Sequence, residues 1–98
     1  MNVSFDPDAR DELDRIYRWI AQDNPKAASE LVARIEAKVM PLADPTLMHM
    51  GRPGLVEGTR ELLEWPYIIV YKVDEARGEI VVISVVHGAR KRERDQGG

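Results

Sequence analysis

From Gly51 to His87 the chain reads GRPGLVEGTRELLEWPYIIVYKVDEARGEIVVISVVH, and this stretch leaves few folds open. After Gly and Pro punctuation come three β-rich runs, Thr59–Glu64, Tyr67–Val73 and Glu79–Val86, spaced as an antiparallel meander. Trp65-Pro66 separates the first two, because proline has no N–H for a ladder and restricts the residue before it. Asp74 to Gly78 separates the next two, and Gly78 is free to take the positive φ that a longer hairpin loop needs. In the middle run Tyr67, Ile69, Tyr71 and Val73 point one way, while Ile68, Val70 and Lys72 point the other. In the last run Val81, Ile83 and Val85 oppose Ile80, Val82 and Val86. Both faces are largely apolar, a pattern of strands covered on both sides.

The upstream half predicts the cover for one face. Asn2–Phe5 is a short strand with Val3 and Phe5 on one side. Asp6-Pro7 then opens a helix, the aspartate capping free N–H groups and the proline tolerated at the first helical position. Ala9, Leu13, Ile16, Tyr17 and Ile20 form its apolar stripe, with Arg10, Asp11, Asp14 and Arg18 on the opposite side. Trp19 falls on the flank of the stripe; its plain reading is a partly buried rim residue, the alternative a partner contact. Asn24-Pro25 repeats the punctuation and opens a second helix with the stripe Ala28, Leu31, Val32, Ile35, Val39 and Leu42. The short connection forces an αα-hairpin. Pro41 and Pro45 end helical pairing, and Ala43–Val56 reads as a loop. One hairpin covers one sheet face. The tail and loop cover the other face, or another chain does, since a large exposed apolar patch marks an interface.

Ninety-eight residues suit one domain with a single core, spanning 1–91, followed by a disordered tail over 92–98. The absence of cysteine removes disulfides and thiolate metal sites from consideration. No apolar run reaches membrane-span length and no signal-peptide layout opens the chain, so a cytoplasmic protein is the expectation. A net charge of −3 argues against general nucleic-acid binding, which rests on Lys and Arg. The local exception is the carboxyl end, with Arg90, Lys91, Arg92 and Arg94. Candidate chemistry is sparse. His49 and His87 lie in different contexts, Ser84 lacks a nucleophile elbow, and GRPG lacks the length and terminal Lys of a phosphate loop. Glu61 and Glu64 read as solvated strand-edge charges. Arg60 reads as the anchor of a local ion pair or as a partner contact. No cofactor and no metal are expected.

The run GRPGLVEGTREL, then PYIIVYKV, then a strand ending in VVHGAR, resembles the ParE branch of the RelE/ParE toxin superfamily, the toxin halves of type II toxin–antitoxin modules. The resemblance covers nearly the whole chain. It implies an α+β fold, β-α-α-β-β-β, with the helical hairpin on one face of an antiparallel-dominated four-stranded sheet and the first strand beside the last.

Two activities occur in that superfamily. RelE-like members cut ribosome-bound mRNA with cationic and aromatic side chains, and metal-free RNA cleavage needs groups that move protons and stabilise a charged phosphorane. Here Ile68 stands where RelE-like chains can carry arginine, and no tyrosine follows His87. The resemblance therefore implies a non-catalytic ParE-like toxin directed at DNA gyrase. The alternatives are a ribosome-dependent ribonuclease and an inactive toxin-like binding module. The implied partner is a ParD-like antitoxin that supplies DNA recognition, with no direct sequence-specific nucleic-acid binding by this chain. Its arm is expected on Trp19, Arg60, Ile68, Val70 and Arg90, with acidic residues pairing Arg60 and Arg90. Target contacts are expected from Arg60, His87, Arg90, Lys91, Arg92 and Arg94.

Overall fold

Two Asx-Pro pairs place the helices. In a computed structural model, which describes residues 1–89, α1 (Pro7–Ala21) begins at Asp6, whose carboxylate accepts the Asp8 N–H at 2.8 Å. Helix α2 (Pro25–Val39) begins at Asn24, whose side-chain oxygen accepts the Ala27 N–H at 3.1 Å. Each cap satisfies one donor that the helix cannot, and the proline that follows occupies a position needing none. Between them, Asp23 and Asn24 both donate backbone N–H groups to the Ile20 carbonyl, so the chain folds straight back on itself. A 3₁₀ turn over Met40–Ala43 contains Pro41 and ends the hairpin.

The strands are β1 (Asn2–Phe5), β2 (Arg52–Pro53), β3 (Thr59–Glu64), β4 (Tyr67–Asp74) and β5 (Glu79–His87), ordered β1-β5-β4-β3-β2. β1 runs parallel to β5, and every other pair is antiparallel. The α+β class and the placing of the first strand beside the last are as the sequence predicts. The strand count differs. The sheet has five strands, because part of the expected loop pairs: Arg52 lies opposite Glu61 and Pro53 opposite Arg60. Proline is tolerated there because β2 is the sheet edge and needs no outward N–H.

A second difference lies in β5. The β4–β5 register steps from Val70↔Ser84 to Tyr71↔Val82, leaving Ile83 without a partner on β4. An extra residue of this kind reverses the alternation beyond it. Val85 therefore joins Ile80 and Val82 in the core instead of opposing them, together with Leu62, Ile69 and Tyr71 from the neighbouring strands. From the helices Ala9, Leu13, Leu31, Ile35 and Val39 complete that core, with Leu42 from the turn beyond. Each large apolar side chain removed from water here contributes about 1.5–3 kcal/mol.

The loop before β3 is held by a buried phenol. The Tyr71 hydroxyl donates to the Met48 carbonyl and accepts the Gly51 N–H, both at 3.0 Å. Gly51 is required at that approach: a Cβ would lie 2.6 Å from the Glu61 carbonyl oxygen and 2.8 Å from the Tyr71 hydroxyl. Gly78, at φ 64°, takes the left-handed conformation that its hairpin loop needs.

Candidate functional site

α1 and the end of β5 enclose a groove of about 470 Å³. Its helix wall carries Asp8, Glu12, Arg15, Ile16 and Trp19, and its sheet wall carries Tyr67, Val85, Val86 and His87. The groove exists because β1 stops early: its register on β5 ends at Val82, and the chain leaves the sheet with the Asp6 N–H bonded to the Val82 carbonyl at 2.8 Å. Beyond that point the rim of α1 faces β5 directly. Ser84, at the register step, donates its hydroxyl to the Glu12 carboxylate at 3.4 Å. The Tyr67 and His87 rings meet edge to face with centroids 5.6 Å apart. Burial pushes the Tyr67 phenol above its ordinary value. His87 is exposed, and its Nδ1 accepts the Ala89 N–H at 3.2 Å, while Nε2 has no partner among the described residues.

The residues singled out from sequence fall in several places. Trp19 is 72% exposed; the partly buried rim reading fails because the groove opens beside it, where β1 no longer fills the space. Arg60 is half-buried, and its Nε–H donates to the Gly51 carbonyl at 2.8 Å, so its head clamps the loop. The ion pair expected at Arg60 is made instead by Arg52, whose Nε lies 3.1 Å from Glu61 Oε1. Glu61 is only 4% exposed and is not the solvated edge charge that the sequence suggests, because β2 adds a further strand beside it. His49 forms an exposed pair with Glu75 at 3.0 Å, bridging the loop to the β4–β5 turn.

Ile68 and Val70 lie on the sheet face away from the helices. Ile68 is 7% exposed and Val70 is half-buried. Part of the cover is the turn after β5, where Gly88 donates its N–H to the Pro66 carbonyl at 2.8 Å and packs against Ile68. Exposed apolar surface at this end comes from Leu63 and, at 72% exposed, Trp65. Arg90, Lys91, Arg92 and Arg94, and the tail over 92–98, lie outside the described residues. Among the described residues, no three or more His, Asp or Glu side chains are grouped to hold a metal ion, and no helix is long and apolar enough to cross a membrane.

The sequence reading missed Glu12, Arg15, Tyr67 and Trp65. The first two were accessible: Asp8, Glu12, Arg15 and Trp19 recur about once per helical turn and define one polar, aromatic-ended stripe beside the apolar one. Tyr67 meets His87 only through the β4–β5 register, which no local spacing reveals.

A helical hairpin on one face of a mixed sheet, with a side groove and two exposed tryptophans among the described residues, defines a small α+β protein. The family model described as "ParE toxin of type II toxin-antitoxin system, parDE" matches residues 3–92, and the chain belongs to that family. It is 39% identical over 77 residues to "Putative toxin Y4kP" of Sinorhizobium fredii (strain NBRC 101917 / NGR234), covering 76% of this chain and 75% of that one. Its fold is similar to a structure titled "Chromosomal ParDE TA system from P. aeruginosa", with TM-score 0.74, 28% identity and coverage of 89% of this chain and 95% of that chain. A structure of the toxin–antitoxin complex RelBE2 from Mycobacterium tuberculosis shares the fold at TM-score 0.60 and 24% identity, covering 88% of each chain.

Proposed function

We propose that this chain is a non-catalytic toxin that arrests growth in the cytoplasm by binding DNA gyrase, and that a ParD-like antitoxin neutralises it. The observation that carries the reading is the ParE family match along residues 3–92. The groove supports it, since Asp8 and Glu12 lie on the same wall as Arg15 and two carboxylates repel a phosphodiester. Trapping an enzyme intermediate needs only differential affinity for that state and no acid–base apparatus. The antitoxin would fold a disordered arm onto this chain, burying on the order of 1,000 Å² per partner or more to offset the ordering of the arm. Sequence-specific DNA recognition would belong to the antitoxin. Trp19 and Val70 offer it exposed or half-buried contact area, joined by Trp65 and Leu63. His87 and the basic residues Arg90, Lys91, Arg92 and Arg94 would face the target, where a rigid strand hands over to the carboxyl end.

Expression from a tightly controlled promoter tests this directly. Double-strand breaks, an SOS response and filamentous cells are expected while amino-acid incorporation continues. Replacing Arg90, Lys91, Arg92 and Arg94 by Ser should reduce arrest and leave neutralisation by the antitoxin intact. Early loss of translation with unbroken DNA would instead support the ribosome-directed reading, and silence in both assays the inactive binding module.

A further inference from the structure

The groove has a backbone side without a second described strand and a side-chain side without a described ion pair, its one described hydrogen bond being Ser84 to Glu12. From Ile83 to His87, β5 has a described neighbour strand only in β4, since β1 ends its register at Val82. An open strand edge is a template for another strand. Facing it, Asp8, Glu12, Arg15 and Trp19 form a row along α1. None of the three charged members is in an ion pair with a described residue. This is unlike the other side of the same helix, where Arg18 and Asp14 close a pair at 3.0 Å.

We infer that an extended arm of the antitoxin adds to the Ile83–His87 edge as a strand, and that the groove selects it by a basic side chain between Asp8 and Glu12 and an apolar one on Trp19. The inference rests on the toxin reading above and changes its electrostatics: the arm's decisive charge at this groove is positive. Two carboxylates one helical turn apart attract a guanidinium or ammonium group and reject an acidic one. Arg15, one turn further on, accepts an acidic or carbonyl group from the next part of the arm. Side chains on one face of a strand recur about every 6.7 Å, and the seven helical steps from Glu12 to Trp19 rise about 10.5 Å. The apolar anchor therefore falls about two to four residues from the cation. The exposed indole offers that anchor a large apolar contact at small ordering cost.

Random-peptide display on the purified full chain provides the test. The wild-type protein is expected to enrich segments with Lys or Arg at one position and an aliphatic or aromatic residue at the stated interval. The Asp8→Lys/Glu12→Lys protein should select Asp or Glu at that position and bind the wild-type-selected peptides about tenfold more weakly or worse. Amide exchange of Ile83 to His87 should slow when such a peptide is bound. Absence of a cation preference, a preference unmoved by the charge reversal, or unprotected β5 amides would each overturn the inference. Selection on purified protein does not depend on toxicity, so failure of the toxin reading would be seen separately, in the growth assay. If the neutralising antitoxin itself binds the reversed variant with unchanged affinity, this groove is not its site.

Discussion

Tyr71 joins the core to the loop before β3 through one oxygen. Its ring is fully buried among the β4 and β5 side chains, and its hydroxyl satisfies one donor and one acceptor of the loop before β3. In Tyr71→Phe the Gly51 N–H and the Met48 carbonyl both lose that partner, and a buried polar group left unsatisfied costs about 1–3 kcal/mol. A lower urea midpoint at unchanged m-value is expected; an unmoved midpoint would show that water or relaxation replaces the hydroxyl. Nothing in the sequence reserves Tyr71 for this role, because its alternation only places it on a face. Arg60 shows the same limit. A strand arginine is legible as an anchor, but the choice between Glu61 and the Gly51 carbonyl depends on β2, which exists only once the loop has folded back.

At the scale of elements, local chemistry carried most of the reading. Asp6-Pro7 and Asn24-Pro25 fix both helix starts, because capping and the proline ring act within a few residues. Asn24→Ala should therefore lower stability by about 1 kcal/mol, measured by thermal or urea unfolding, with helix content retained because the apolar stripe of α2 remains packed. A loss of several kcal/mol would mean that Asn24 does more than accept from Ala27. The β5 irregularity was not legible. Glu79 to His87 alternates well enough to read as a straight strand, and the step at Ile83 arises from pairing with β4 while α1 packs alongside. That step moves Val85 into the core and sets Ser84 beside Glu12. The groove is thus the product of two pairings, β1 ending at Val82 and β5 stepping at Ile83, and neither endpoint is written in a local motif.

At the scale of the whole molecule, binding and RNA cleavage make different demands on the same groove. Cleavage needs a group that takes a proton, one that gives it, and cations for the charge that develops on phosphorus. Tyr67 is held protonated, since burial raises its phenol above 10.0, so it is no base at neutral pH. The same shift favours the folded protein below the ordinary phenol value, an advantage lost as pH rises through the raised one. The neighbouring Asp8 and Glu12 carboxylates add negative charge where a phosphorane would need positive. Tyr67→Phe keeps the ring against His87 and removes only the hydroxyl. If the chain acts by binding, growth arrest by this variant should stay within a few-fold of wild type, whereas a lost acid–base group costs about 10²–10⁴ in rate. In a purified translation system the wild-type chain should leave mRNA intact. Cleavage abolished by His87→Ala, or arrest lost in a folded Tyr67→Phe protein that still binds antitoxin, would return the groove to catalysis.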